Sequence, residues 1–157
     1  MQWWPLYGLK RRLTERGDYT SPVKVQRAPS RLFNRSLFVY VIDVGSSNAL
    51  NFEISALESP QYNIQRFGIY MTDSPRHADV LLVLGRPTEA MLRPLEETVT
   101  QLPNPFYIVT IDDRPGEPGL SDYPALPHLA CAIQGVPSPS QILGMLLDLS
   151  KTKRNPS

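Results

Sequence analysis

Cysteine is the residue type that this sequence most nearly lacks, since its 157 residues include a single one, Cys131. A single thiol excludes an intrachain disulfide framework, and it cannot by itself form a cysteine-ligated zinc or iron–sulfur site. Cys131 lies within the apolar stretch 129–133, which is typical of a short strand. We therefore interpret it as a buried structural thiol.

Long apolar runs are also absent. No stretch approaches the roughly 20 residues of a membrane-spanning helix, and the apolar run before the first charges is too short for a signal peptide. Neither G-x-G-x-x-G nor G-x-x-x-x-G-K-S/T occurs, which disfavours a dinucleotide-binding or P-loop protein. We expect a globular protein in the cytosol or on the cytosolic face of a membrane.

No obvious metal site is present either. The two histidines, His77 and His128, have no cysteine or carboxylate at a spacing typical of metal ligands, so we expect exposed or capping side chains. Four acidic residues that could attract a cation follow the fourth predicted strand: Asp112, Asp113, Glu117 and Asp122. The ordinary interpretation of such a run is a solvated loop.

The net charge of +1 conceals a strong asymmetry along the chain. Residues 1–36 carry eight basic and two acidic side chains, whereas residues 37–150 carry five basic and thirteen acidic ones. A tail of residues 151–157 is basic again. This pattern indicates basic ends that dock on a partner or on anionic headgroups.

Aromatic residues accompany the charges at the amino-terminal end. Trp3 and Trp4 lie close in sequence to Arg11 and Arg12, a composition typical of an interfacial membrane anchor. We therefore predict a basic docking arm over residues 1–35, with a solvated, partly disordered leader as the alternative. No nucleic-acid-binding motif accompanies these charges, and we expect no nucleic-acid partner.

Strands and helices alternate along the rest of the chain, residues 36–150. Apolar runs predict strands at 36–43, 66–71, 80–84, 106–111 and 129–133, and helical patterns lie at 51–58, 87–101 and 138–149. This order predicts a three-layer, flavodoxin-like α/β domain with a mostly parallel sheet of four or five strands.

In such a fold, ligands bind in the loops at the carboxyl ends of the strands. These loops are residues 44–48, 85–88, 112–119 and 134–138. The first contains Gly-Ser-Ser-Asn, which could cradle a phosphate, although an ordinary helix N-terminus is the preferred interpretation.

Five stretches carry a family resemblance: GSSNALNFE (45–53), SPQYNIQRFGI (59–69), SPRHADVLLVLG (74–85), LPNPFYIVTIDD (102–113) and IQGVPSPSQIL (133–143). Together they resemble the small iron–sulfur subunit of membrane-bound, energy-converting NiFe hydrogenases and formate hydrogenlyase. They also resemble the homologous quinone-side iron–sulfur subunit of respiratory complex I. The resemblance implies the fold predicted above and a place beside a large subunit.

The resemblance also implies four cysteines that ligate one four-iron four-sulfur cluster, and this chain has none of them. The corresponding positions are occupied by Ser47, Leu50, Arg114 and Val136. Leu50 and Val136 carry no donor atom, Arg114 is a fixed cation, and Ser47 is at best a poor ligand. We therefore predict that the chain binds no cluster and no other cofactor or metal.

Other residues of the family pattern are present, and we expect interface or structural roles for them: Glu53, Arg66, Arg76 and Asp79, with a possible Glu53–Arg76 pair. The sequence thus predicts a non-redox docking subunit, peripheral on the cytoplasmic side of the cell membrane. Such a subunit joins a large-subunit-like protein to the ion-translocating membrane subunits of a hetero-oligomeric complex.

Two alternatives remain at this point. In the first, the parent complex is still an NADH:quinone or hydrogenase-type oxidoreductase, and its electrons bypass this chain. In the second, the chain is a flavodoxin-like binding module whose emptied cluster pocket takes another ligand beside Arg114 and the acidic loop.

Overall fold

Five parallel strands form the centre of the computed structural model, which describes residues 19–23 and 36–151. The strands are β1 (Leu37–Gly45), β2 (Ile69–Met71), β3 (Val80–Gly85), β4 (Tyr107–Asp112) and β5 (Leu129–Gln134). Their order in the sheet is β2-β1-β3-β4-β5, which is the flavodoxin-like order. The predicted fold class is therefore confirmed. The anchor residues Trp3, Trp4, Arg11 and Arg12 lie outside the described residues.

Within residues 36–151, three α-helices flank the sheet: α1 (Asn48–Ala56), α2 (Glu89–Gln101) and α3 (Pro139–Lys151). The predicted strand at 66–71 is wrong in its first half. Arg66 and Phe67 belong to a 3₁₀ turn, which Gly68 ends in the left-handed conformation at φ 78°. Only the three residues after that turn extend along the sheet edge, because the turn redirects the chain first.

The apolar runs of β3 and β4 are buried along their whole length, as expected for central parallel strands. Residues of α1 and α3 pack on one face of the sheet in a first apolar cluster, and residues of α2 pack on the other face in a second. Cys131 belongs to the first cluster with 3% of its surface exposed. Burial raises the pKa of its thiol, and the prediction of a buried cysteine is confirmed.

A short segment that precedes the sheet, residues 19–23, crosses helix α3. A Cβ atom at Gly144 would lie 2.7 Å from the carbonyl carbon of Thr20, so the close approach requires glycine. The Tyr19 ring packs edge-on against Phe67 at 5.6 Å, and Arg66 donates a 3.0 Å hydrogen bond to the Tyr19 hydroxyl. Arg66 therefore has an intramolecular structural contact.

Candidate functional site

The candidate site lies at the carboxyl edge of the sheet, where β1 and β3 end in glycines that touch each other's loops. Gly85 has φ +76°, and a Cβ there would overlap the backbone of Gly45 and Ser46. A Cβ at Gly45 would in turn overlap the Arg86 carbonyl oxygen. Only glycine fits at this crossing, which brings the β1–α1 loop and the β3–α2 loop into direct contact.

The β1–α1 loop is shaped by the carboxylate of Asp43. One oxygen accepts hydrogen bonds from the backbone N–H groups of Gly45 at 3.0 Å and Ser46 at 2.8 Å. The other accepts from the Asn51 side-chain amide at 2.9 Å. Burial opposes ionisation of Asp43, but these hydrogen bonds outweigh it, so its pKa lies below the ordinary value.

This arrangement predicts an acid-sensitive loop. Because the pKa of Asp43 is lowered from 3.8 by folding, its ionisation stabilises the fold above that pH, and the contribution disappears as the pH falls through the folded-state pKa. We expect Asp43→Asn to flatten the pH dependence of urea unfolding below about pH 4. Glu96→Gln, which removes an exposed carboxylate on α2, is the matched control. Parallel profiles for wild type and Asp43→Asn would contradict the assignment.

Two consecutive residues after β4 reach across to the same loop. Asp113 Oδ2 accepts a 2.7 Å hydrogen bond from the Ser47 backbone N–H. Arg114 donates from Nη2 to the Gly45 carbonyl oxygen and pairs from Nη1 with Glu117 at 3.0 Å. The structure therefore joins the two loops that carry the predicted former ligand positions 47 and 114, through contacts of Asp113 with Ser47 and of Arg114 with Gly45.

The other two former ligand positions have different environments. Leu50 lies in the first turn of α1 and is fully buried in the apolar core. Val136 lies between β5 and α3 and is 45% exposed. These side chains do not fit a cysteine-ligated cluster. Leu50 belongs to the core and Val136 is an apolar surface residue. Arg114 uses its guanidinium to bind a carbonyl oxygen and a carboxylate.

A second polar group, which the sequence interpretation missed, surrounds Arg86. Its Nε lies 3.3 Å from Asp112 Oδ2, although the N–H is not aligned for a hydrogen bond, and its Nη2 lies 3.5 Å from Asp122 Oδ1. The Tyr123 hydroxyl donates to the Gly85 carbonyl oxygen at 2.7 Å, and burial together with the nearby Asp112 carboxylate raises the pKa of Tyr123. The sequence feature that could have identified Arg86 was its position, because it directly follows β3 at the carboxyl edge of the sheet.

A cavity of about 240 Å³ lies between this group and β5. Besides Arg86, Asp112 and Tyr123, its walls are mostly apolar: Pro124, Leu126, Leu129, Ala132 and Ile133. The binding-module hypothesis placed a pocket beside Arg114 and the acidic loop. Asp112 of that loop does line this cavity, but the arginine in its wall is Arg86 rather than Arg114.

The acidic loop is not a cluster of free carboxylates. Asp112 and Asp122 face Arg86, Glu117 pairs with Arg114, and Asp113 accepts from Ser47. In residues 19–23 and 36–151, no three His, Cys, Asp or Glu side chains are arranged to hold a metal ion.

The remaining predicted residues lie elsewhere. Asp79 accepts a 2.9 Å hydrogen bond from the Phe38 N–H where β1 begins, which is a structural contact at the amino edge of the sheet. Arg76 is exposed in the turn before β3, and Glu53 is half-buried in α1. The suggested Glu53–Arg76 pair is wrong: the ion pairs among the described residues do not include it, and the turn and the start of α1 lie at opposite edges.

The two histidines are exposed, as expected. His128 also packs edge-on against the Phe106 ring, with the ring centres 5.1 Å apart. Among the described residues, no helix combines the length and apolarity needed to cross a membrane.

The chain is a flavodoxin-like α/β protein by its fold, and its sequence is similar to subunits of membrane-bound hydrogenases. It is 36% identical over 85 residues to a protein of Pyrococcus furiosus named "Probable membrane-bound hydrogenase subunit mbhJ", covering 54% of this chain and 51% of that protein. It is 44% identical over 76 residues to formate hydrogenlyase subunit 7 of Escherichia coli, covering 48% of this chain and 30% of that protein. The predicted resemblance to hydrogenase-type small subunits is therefore confirmed.

A solved structure shares the fold over a longer span. The match to a chain of membrane-bound sulfane sulfur reductase, an archaeal respiratory membrane complex, has a TM-score of 0.61 and 22% sequence identity. It covers 78% of this chain and 76% of that chain. No protein-family model matches the sequence. In the sequence comparisons, the chain spans about half the length of the Pyrococcus furiosus relative and less of the Escherichia coli one.

Proposed function

We propose that this protein is a non-redox docking subunit of a membrane-bound complex related to hydrogenases. The similarity to the hydrogenase and formate hydrogenlyase subunits supports the class of complex. The observation that carries the non-redox role is the chemistry at the four former ligand positions. None of Ser47, Leu50, Arg114 and Val136 supplies the thiolate that holds cluster iron.

The environments of these positions support the same proposal. Leu50 has become part of the apolar core, and Arg114 is engaged with neighbouring loop groups. The one cysteine is buried in the sheet, where its raised pKa disfavours the thiolate form that iron requires. In our proposal the carboxyl edge docks a large-subunit-like protein. The chain lies peripherally on the cytoplasmic side of the membrane, against the ion-translocating membrane subunits.

The test is iron and sulfide analysis of the purified full-length chain after anaerobic incubation with iron and sulfide. A relative that keeps the four cysteines, treated identically, serves as the positive control. We expect this chain to retain no stoichiometric iron and to show no visible cluster absorption, while the control does both. A stoichiometric cluster on this chain would overturn the proposal.

Mass spectrometry of the proteins that co-purify with the chain from membranes tests the docking role. We expect a large-subunit-like protein and membrane-embedded subunits. If the large subunit keeps an intact NiFe or quinone site, the bypass alternative is correct and the complex remains an oxidoreductase. If the chain purifies alone, the docking role is wrong.

A further inference from the structure

We propose that Asp113 and Arg114 are positioning residues that hold the docking edge in shape without a cluster. We use the name polar clamp for these two residues together with their loop partners Gly45 and Ser47. The polar clamp ties the β1–α1 loop to the β4–β5 loop. This inference rests on the proposed docking function and names the residues that maintain its surface.

The two contacts of the polar clamp join distant parts of the chain. The Asp113 carboxylate accepts the Ser47 N–H, 66 residues away in sequence, and Arg114 donates to the Gly45 carbonyl, 69 residues away. One contact uses a charged acceptor and the other a charged donor, and such charge-assisted hydrogen bonds are stronger than neutral ones. The Ser47 N–H and the Gly45 carbonyl oxygen, two residues apart in the β1–α1 loop, are both held. Together these two contacts fix the position and the orientation of that loop.

Neighbouring groups hold the Arg114 side chain and the backbone around it in place. The Arg114 N–H donates to Asp112 Oδ1 at 3.2 Å, and Glu117 pairs with the guanidinium at 3.0 Å. The Asp112 carbonyl accepts from the Gly135 N–H at 2.8 Å, which attaches the loop after β5. The other Asp112 oxygen faces Arg86 at 3.3 Å, which attaches the loop after β3. All four loops of the carboxyl edge therefore converge on residues 112–114.

The polar clamp bridges the same loops that a cluster with ligands at positions 47 and 114 would bridge. Metal ligation couples separate chain segments into one folded arrangement. Here a carboxylate and a guanidinium do so with main-chain partners. Asp113 Oδ1 and Arg114 Nε are buried and lack hydrogen-bond partners among the described residues, which reduces the net stability that the contacts provide. The main effect is therefore on the arrangement of the loops rather than on the stability of the whole domain.

Hydrogen exchange of the full-length chain, read at the Ser47 amide by NMR, tests the polar clamp. We expect Asp113→Ala to speed exchange at Ser47 by about tenfold or more, because the amide loses a charged acceptor. Asp113→Asn should largely restore protection, since its amide oxygen still accepts. Arg114→Ala should speed exchange in the same loop. Arg93→Ala, which removes an exposed arginine paired with Glu97 on α2, should leave it unchanged.

The effect on docking is measured by co-purification of each variant with its partner subunits. The inference predicts weaker association for Asp113→Ala and Arg114→Ala and recovery with Asp113→Asn. If exchange at Ser47 does not change in Asp113→Ala, the polar clamp is wrong, whether or not the chain docks. If only Arg114→Ala weakens association, Arg114 contacts the partner directly and does not act through the loop. Retention of a cluster by the wild-type chain would count against the proposed function alone, because the exchange experiment needs no partner.

Discussion

Gly85→Ala is expected to destabilise the protein by about 3 kcal/mol or more, enough to lower Tm by roughly 10 °C. The added methyl group would overlap the backbone of Gly45 and Ser46, and φ at this position is +76°. Left-handed backbone strain alone costs on the order of 1–3 kcal/mol for a residue other than glycine. Gly45 and Ser46 cannot move aside at a small energetic cost, because the atoms that the methyl group would meet are main chain rather than the end of a flexible side chain. Urea unfolding at fixed pH measures the change.

Gly116→Ala is a closely matched control for this experiment. Its φ of +79° is nearly the same, but a Cβ at Gly116 would meet nothing within 4 Å. It should cost only the backbone strain, about 1 kcal/mol. Equal losses of stability in the two variants would show that strain, rather than the contact between the β1–α1 and β3–α2 loops, decides the effect.

The central strands could be predicted from sequence because their signal is local. Val80–Gly85 is a continuous apolar run, and burial on both faces of a parallel sheet requires that composition. The edge strand β2 was only partly predictable. Its three residues follow a 3₁₀ turn whose end depends on the left-handed conformation of Gly68, and the aromatic Phe67 directly before that glycine resembles a strand residue although it belongs to the turn.

The location of the candidate site could be predicted from sequence, but the contacts between its side chains could not. Strand order puts the loops of the carboxyl edge together, and the loops that contain Ser47 and Arg114 do contact each other there. No sequence pattern indicates that Asp113 accepts from Ser47 or that Arg86 faces Asp112, because these contacts depend on the path of loops far apart in the chain. The suggested Glu53–Arg76 pair was wrong although strand order already places the turn before β3, which contains Arg76, at the amino edge of the sheet.

The position of Leu50 changes the interpretation of the lost ligands. The family resemblance implies cysteines at positions 50 and 136 alike, and this chain has an apolar residue at each. In the structure Leu50 is fully buried under the first turn of α1, whereas Val136 is 45% exposed. Leu50 is therefore a core residue, whereas Val136 is an apolar side chain on the surface at the carboxyl edge of the sheet.

Leu50→Ala should consequently cost about 3 kcal/mol, the typical loss for removing a buried leucine side chain and leaving a cavity. Val136→Ala, at the other former ligand position, should change the free energy of unfolding by less than about 0.5 kcal/mol. Chemical denaturation of both variants checks the contrast. A Leu50→Cys variant should also be clearly destabilised, because the thiol fills less of the space than leucine does.

These values bear on how the four-cysteine ligand set that the family resemblance implies can be introduced into this chain. If Leu50 now supports the core, a variant with cysteines at all four positions begins with a weakened α1 and without the guanidinium of Arg114. It should then be less stable than wild type until iron and sulfide are supplied, and any cluster that forms should raise its Tm. If instead Leu50→Ala and Leu50→Cys both leave the free energy of unfolding nearly unchanged, α1 tolerates a ligand at this position. The stability of the fold then does not depend on leucine there.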